Sequence, residues 1–161
     1  MISMQELRRC PAFAPLNPEQ MEKLMATAKT ISVAQGEYLF HEGEILTHFY
    51  LVLEGTFEIL IQTPKLDIEY DTHGQPGRLE DEMVLIAKVE PGEIMGWSGL
   101  VPPHKATSGS RALTPSQVAA FDCKKLLHHF ETDCRFGYYM LQTAAQVIGK
   151  RLQNMHTGGG K

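Results

Sequence analysis

One segment of the sequence gathers most of the side chains that could bind a ligand. Between Gly96 and Leu113 it holds an indole, an ammonium group and several hydroxyls, carried by Trp97, Ser98, Lys105, Thr107, Ser108 and Ser110. The ring of Trp97 could stack on a flat ligand, the hydroxyls could form hydrogen bonds, and Lys105 could face an anion as a point charge. The alternative role of Trp97 is packing in a core, which we favour because most tryptophans pack.

No pattern in the sequence indicates catalysis or a metal centre. The sequence has no Gly-x-Ser-x-Gly elbow and no phosphate-binding glycine-rich loop followed by Lys and Ser or Thr. The adjacent His128 and His129 would project about 100° apart on a helix, so they cannot chelate one ion together. The three cysteines, Cys10, Cys123 and Cys134, are too few for a four-cysteine cluster. We therefore expect no catalytic residues and no metal ligands.

Length and composition restrict the class of protein. The chain has 161 residues, a net charge of −4, 43% hydrophobic residues and 21% charged residues, which is ordinary for one globular domain. The negative balance argues against a general nucleic-acid binder. No apolar run reaches the roughly 18 residues that span a bilayer, and no signal peptide is recognisable. The few scattered cysteines fit a reducing compartment, so we expect a cytoplasmic protein without membrane contact.

Hydrophobic periodicity predicts a helix followed by many short strands. Asn17, a proline at the first helical position and apolar residues at i, i+3, i+4 and i+7 predict a helix from Pro18 to Lys29. Short β-rich runs punctuated by Gly and Pro then predict an all-β sandwich or barrel. The runs are Glu37–His41, His48–Leu53, Thr56–Gln62, Met83–Val89, Glu93–Met95, Ser110–Leu113 and Gln117–Phe121.

Alternation predicts the buried faces of two of these strands. One face of the first should carry Phe57, Ile59 and Ile61. One face of the second should carry Met83, Leu85, Ala87 and Val89. The polar stretch Pro64–Glu82 between them is expected to be a mobile loop or a hairpin extension in which alternation continues at Leu66, Ile68 and Tyr70.

Capping residues predict two helices at the end of the sequence. Asp122 should cap Lys124–Glu131, and Asp133 should cap a long helix from Cys134 to Met155. One face of the long helix should cover the β domain through Phe136, Met140, Thr143 and Val147. A second face, called the seam below, has heptad spacing and carries Leu141, Ala145, Ile148, Leu152 and Met155. Since no further element remains to cover the seam, we predict a homodimer.

These patterns divide the chain into four parts. They are a helical segment (1–30), a β domain (31–121), C-terminal helices (122–157) and a flexible tail (158–161). Between Arg135 and Lys161 there are four basic residues and no acid. Lys150 and Arg151 lie near a helix C-terminus, where they suit the helix dipole better than a nucleic-acid role.

Three motifs together resemble the cyclic nucleotide-binding domain, in particular the regulatory domains of the bacterial catabolite-activator and fumarate–nitrate-regulator family. The motifs lie at Gly36–Glu44, Phe49–Gly55 and Pro91–Gly96. The resemblance runs from about Leu7 to Met155. It implies a mainly β fold with flanking helices, namely a jelly-roll-like double-stranded β-helix, or β-roll, with an N-terminal helix. It also implies a ligand pocket inside the roll and a long C-terminal helix that dimerises.

The same resemblance assigns the segment after Gly96 to the phosphate-binding cassette. In nucleotide-binding members a Glu of the cassette accepts a hydrogen bond from the ribose and an Arg neutralises the cyclic phosphate. Trp97 stands at the Glu position and Ala106 at the Arg position, while Thr107 matches the small hydroxyl residue. Cyclic nucleotide is thus a doubtful ligand, and we expect weak binding at most. The candidate ligand-binding residues are Gly96, Trp97, Ser98, Gly99, Leu100, Lys105, Ala106, Thr107 and Ser108.

The function expected from these residues is that of a non-enzymatic regulatory or sensor module, which binds a small ligand in the roll. Two alternatives stay open at this point. The chain could be the regulatory domain of a transcription regulator whose DNA-binding part is absent, or a degenerate scaffold for protein association. No helix-turn-helix follows the long helix, so we expect no direct DNA binding by this chain.

Overall fold

Two four-stranded antiparallel sheets form the centre of the computed structural model, which describes residues 2–64 and 81–156. One sheet has the order β1-β8-β3-β6 and the other β2-β7-β4-β5. The strands are β1 (Ala28–Val33), β2 (Tyr38–Phe40), β3 (His48–Glu54), β4 (Phe57–Pro64), β5 (Asp81–Val89), β6 (Ile94–Met95), β7 (Gly109–Ala112) and β8 (Ser116–Asp122).

Helices precede and follow the strands along the chain. They are α1 (Met4–Arg8), α2 (Pro18–Ala26), α3 (Cys123–Thr132) and α4 (Cys134–His156), with short 3₁₀ helices at Pro11–Phe13 and Trp97–Leu100. The mainly β fold with flanking helices and a long C-terminal helix is confirmed. Within residues 2–64 and 81–156, no helix combines the length and the apolar character needed to cross a membrane.

Side-chain caps fix where three of the helices begin. The Asn17 carboxamide accepts a hydrogen bond from the Gln20 N–H at 2.8 Å and starts α2. The Asp122 and Asp133 carboxylates each accept a backbone N–H three residues on, at 3.1 Å, and start α3 and α4. These three predicted caps are confirmed, although α3 begins at Cys123 and not at the predicted Lys124. Helix α1 was not predicted, although Ser3 and Glu6 form a capping box that is readable from the sequence.

The predicted end of α2 at Lys29 is wrong. The helix stops at Ala26, because the chain from Ala28 onward pairs with β8 as an edge strand. Ala28 lies opposite Phe121 in this ladder, and the Asp122 N–H donates to the Thr27 carbonyl at 3.1 Å. The strand pairing therefore takes up residues that helix periodicity had placed in the last turn of the helix.

The predicted buried face of β5 is confirmed at Val89, which is 3% exposed, but it is wrong toward the start of the strand. Ile59 pairs with Ala87 and Leu60 with Leu85, so Ile86 is an extra residue in β5. This bulge shifts the alternation for the residues before it, so that Ile86 is buried while Met83 is 47% exposed. On β4 the prediction holds for Phe57 and Ile59, which are fully buried.

Some predictions concern residues outside the described ranges. These are the form of the connection between β4 and β5, including the alternation of Leu66, Ile68 and Tyr70, and the tail at 158–161. Met155 belongs to α4, but its side chain also lies outside the described part.

The central strands β3 and β8 of the sheet β1-β8-β3-β6 are mostly buried, and the sheet separates two apolar cores. Alternate residues of β3 and β8 point to opposite sides: Phe49 and Phe121 to one core, Val52 and Val118 to the other. The helix-side core lies under the helices and includes Phe13, Leu24, Phe49, Trp97, Phe121, Leu126, Phe136 and Met140. The roll-side core lies between the sheets and includes Phe40, Leu46, Val52, Phe57, Ile59, Ile86, Met95 and Ala106.

Candidate functional site

Two glycines bring the first half of the cassette segment close to β3 and α3. Gly96 has φ 82°, a left-handed conformation that favours glycine, and it precedes the 3₁₀ helix Trp97–Leu100. A Cβ on Gly99 would lie only 2.7 Å from Cys123 Sγ, so only glycine fits there without a shift. These positions let the backbone turn sharply and hold Trp97 against the sheet.

Backbone hydrogen bonds attach the second half of the segment to the loop after β2. Leu46 N–H donates to the His104 carbonyl at 2.7 Å, Ala106 N–H donates to the Glu44 carbonyl at 2.8 Å, and Gly43 N–H donates to the Ala106 carbonyl at 2.8 Å. These bonds and an isolated bridge between Ile45 and Lys105 hold the segment beside the loop until β7 begins at Gly109. The segment is a rigid wall of the roll.

This wall lines one side of a cavity of about 290 Å³. Its size is close to the lower end for small-molecule sites. Three parts of the chain line it, as follows: the cassette segment with Gly96, Trp97, Ser98, Ala106, Thr107 and Ser108; the roll with Phe40, Leu46, Ile61 and Ile86; and α4 with Ile148, Arg151 and Leu152.

The structure brings six of the nine candidate ligand residues together and leaves three outside. Gly99 is packed against Cys123, and Leu100 is buried in the helix-side core. Lys105 is exposed and extends past Gly43, where its Cε would be 3.8 Å from an added Cβ. The ammonium group expected to face an anion therefore does not line the cavity.

Trp97 joins the helix-side core to the cavity. Its side chain is 1% exposed and stacks on Phe49, with ring centroids 5.1 Å apart and planes 12° apart. Phe49 stacks in turn on Phe121, with centroids 4.8 Å apart. The core role favoured from the sequence agrees with this packing. The indole also lines the cavity, and its buried Nε1–H has no hydrogen-bond partner among the described residues.

Arg151 is the site residue that sequence reasoning missed, because it was assigned to the helix dipole. Its Nη2 donates to the Ile94 carbonyl at 3.2 Å. Burial lowers the pKa of the guanidinium, and Glu93 partly opposes this shift. Arg151 follows Ile148 by three residues, so helical spacing alone could have placed both on one face.

Among the described residues, the cavity lining carries positive charge only. Arg151 is a cation, and no Asp or Glu occurs among the described residues that line the cavity. Within residues 2–64 and 81–156, no three His, Cys, Asp or Glu side chains converge as a group that could hold a metal ion. His128 instead lies 3.5 Å from the Glu131 carboxylate on the surface of α3.

Comparison with known proteins agrees with this geometry. A family model of the cyclic nucleotide-binding domain matches residues 30–133. A protein from Geobacter metallireducens GS-15, described as a candidate cyclic nucleotide-binding protein, has a TM-score of 0.74 and 26% identity, over 94% of this chain and 99% of its own. The N-terminal domain of a transcriptional regulator from Streptomyces coelicolor A3(2) has a TM-score of 0.64 and 27% identity, over 93% and 94%.

At lower identity the same fold recurs. The catabolite activator protein of Thermus thermophilus has 18% identity and a TM-score of 0.64, over 91% of this chain and 60% of its own. No curated protein matches the chain. The match to the family model covers more than half of the sequence and includes the three motifs and the cassette segment. The chain therefore belongs to the cyclic nucleotide-binding domain family.

Proposed function

We propose that the chain is a non-enzymatic sensor module that binds a small ligand other than a classical cyclic nucleotide in the cavity of its β-roll. The cavity itself carries this proposal, because it lies between the cassette segment, the roll and α4 and combines apolar walls with hydroxyls. The family membership and the similarity to the domain of a transcriptional regulator support a regulatory role.

The two cassette positions argue against tight binding of cyclic AMP. Trp97 is packed against Phe49, so no carboxylate is available for a ribose, and Ala106 offers no charge to a phosphate. Hydrogen bonds to charged groups contribute roughly 1.5–3 kcal/mol each, so the loss of two weakens binding by about 10²- to 10⁴-fold. Calorimetric titration with cyclic AMP should give no micromolar binding, and micromolar or tighter binding would contradict the proposal.

An uncharged probe tests whether the cavity accepts a ligand at all. Trp97 is the single tryptophan of the chain and lines the cavity, so its fluorescence reports occupancy. Octanamide should change this fluorescence in a saturable way. Ala106→Leu, which fills part of the cavity, should weaken binding, whereas Ala14→Leu at an exposed site serves as the control. The absence of saturable wild-type binding both of octanamide and of its charged counterpart, octanoate, would refute the sensor role.

Homodimerisation through the seam of α4 is the second part of the proposed function. Leu141, Ile148 and Leu152 are 41%, 46% and 53% exposed, which is unusual for three large apolar side chains on one helix face. Two parallel copies would bury these side chains in a coiled-coil arrangement, in which the exposed Ala145 permits close approach. A second copy of the chain is the partner that fits a continuous apolar face of this spacing.

Sedimentation equilibrium tests the dimer. The wild type should sediment at twice its 18.0 kDa mass at tens of micromolar. Leu141→Glu should give monomers, and it leaves the cavity intact because Leu141 does not line it. Ile148→Glu should also give monomers but changes the cavity wall. Gln142→Glu adds the same charge at an exposed position beside the seam and should leave the mass unchanged. A wild-type mass of 18 kDa would exclude the dimer.

The three cysteines support a proposed location in the cytoplasm. All three are free, and Cys10 and Cys123 are buried. Free thiols persist in reducing compartments.

A further inference from the structure

Arg151 brings a positive charge to the cavity from a part of the sequence far from the cassette. It lies in the last two turns of α4 and lines both the cavity and an adjoining groove of about 630 Å³ next to β5 and β6. One of its N–H groups donates to a backbone carbonyl, at Ile94. Among the described residues, no carboxylate forms a salt bridge with it. A guanidinium has five N–H donors, so most of its capacity is left for another acceptor.

The partial burial of Arg151 makes this lack of a counterion significant. Burial disfavours the charged form and lowers the pKa of the guanidinium, while the charge of Glu93, which lines the adjoining groove, opposes the shift. Lys150, the neighbouring residue, is exposed by comparison. A half-buried cation is stabilised when an anion binds beside it, whereas an exposed one gains little.

Trp97 supplies a second donor without a partner. Its Nε1–H is buried and makes no hydrogen bond with any described residue. Buried polar groups in native proteins are nearly always paired, because an unpaired buried donor destabilises the fold. Because Trp97 and Arg151 line the same cavity, one acceptor group could relieve both deficits.

The rest of the lining defines the other end of the ligand. Apolar side chains of the roll and of α4 form most of the wall, and Ser98, Thr107 and Ser108 add hydroxyls along the cassette segment. No acidic side chain is among the described lining residues, so the cavity offers no counterion to a cationic ligand. The complement of this wall is a molecule with one acidic group and an apolar body.

We propose that the cavity binds an amphipathic organic anion whose acidic group pairs with Arg151 and accepts a hydrogen bond from Trp97 Nε1. The apolar body lies against the roll near Leu46, Ile61 and Ile86. This proposal rests on the proposed sensor function and specifies its ligand class. It assigns the anion-binding charge to α4, whereas the cassette position at Ala106 carries none.

Octanoate and octanamide test the proposal, because they share one apolar chain and differ in charge. Binding of each is measured by calorimetry and by the fluorescence of Trp97, with the wild type, Arg151→Gln, Arg151→Lys and Lys150→Gln. The wild type should prefer octanoate. Arg151→Gln should raise the octanoate Kd about 10- to 100-fold and leave the octanamide Kd unchanged. Arg151→Lys should keep part of the preference, and Lys150→Gln should keep all of it.

The outcomes separate this inference from the proposed function. Octanamide binding without any preference for octanoate in the wild type overturns the assignment of an anion site and leaves the sensor role standing; this comparison needs no variant to fold. If Arg151→Gln weakens the binding of octanoate and of octanamide equally, the proposed pairing of the Arg151 charge with the acidic group is overturned. If neither octanoate nor octanamide binds to the wild type, the sensor role is overturned and, with it, the inference.

Discussion

The two cores on either side of the sheet β1-β8-β3-β6 are packed in different ways. The helix-side core is filled by rings, with Phe13, Phe49, Trp97 and Phe121 in a continuous series of contacts at centroid distances of 4.8–5.8 Å. The roll-side core is mostly aliphatic and borders the cavity of about 290 Å³. The same two central strands supply both cores, so the difference comes from the side chains and not from the sheet.

This difference shows how one small domain combines stability with a cavity. Tight aromatic packing on the helix side holds β3, β8 and the cassette in place. The cavity on the other face leaves dispersion contacts unmade along its lining, which reduces the stabilisation available there. Trp97 belongs to both regions, because it stacks on Phe49 and also lines the cavity.

A matched pair of Leu→Ala substitutions gives the largest expected difference in stability between the two cores. Leu24 is fully buried in the helix-side core, and Leu46 is 5% exposed and lines the cavity. Leu24→Ala should lower the free energy of unfolding by about 3–5 kcal/mol and Leu46→Ala by about 2 kcal/mol, because Leu46 has fewer packing partners to lose. Urea denaturation followed by circular dichroism measures both values. Equal losses would show that the two cores are packed alike.

Alkaline pH should loosen the helix-side core in particular. Burial raises the pKa of Cys10 to about 11 and that of Cys123 to about 12, against an ordinary value of 9.0. Above pH 9 the unfolded chain releases these protons while the folded chain retains them, so stability is full below pH 9 and falls as pH rises. The loss by pH 10 should be about 2–3 kcal/mol for the two thiols together.

Paired variants check the origin of this pH dependence. Unfolding in urea at pH 8, 9 and 10 gives the slope. Replacing both Cys10 and Cys123 with Ala should remove most of it, whereas replacing the exposed Cys134 should leave it intact. A slope that survives in the double variant would assign the effect to other groups.

The smallest expected effect comes from adding volume to each core. Ala106 lines the cavity, whereas Ala119 is fully buried in the helix-side core. Ala106→Leu should raise the free energy of unfolding by about 1 kcal/mol by filling empty space. Ala119→Leu should lower it by about 1–3 kcal/mol, because no space is available. Thermal unfolding measures both, and destabilisation by Ala106→Leu would contradict an open cavity.

Local signals in the sequence were sufficient for three caps, for the strands from β2 to β8 and for the buried residues of α4, whereas strand β1 was not predicted. Asn17, Asp122 and Asp133 each form the hydrogen bond that a cap residue needs, and this depends on residues only three positions away. The buried Phe136 and Met140 follow helical periodicity in the same way. The family resemblance added the roll, because the glycine motifs lie where its corners require them.

What the sequence could not provide depended on contacts between distant residues. The bulge at Ile86 arises from the register between β4 and β5, and the early end of α2 arises from pairing with β8. The contribution of Arg151 to the cavity requires the packing of α4 beside the roll, at a residue 54 positions after Trp97 in the sequence. No spacing rule within the cassette reports such a neighbour.

Helix α4 is fixed at one end and takes part in the cavity at the other. Its first half is held by the buried Phe136, Met140 and Ala144 and by the bond from Gln20 to Asp133 at 3.1 Å. In its second half, Ile148 and Leu152 belong at once to the cavity wall and to the exposed seam. The proposed occupancy of the cavity and the proposed pairing of two copies would then be thermodynamically linked: whatever factor a ligand applied to the dimer constant, dimerisation would apply to the ligand constant.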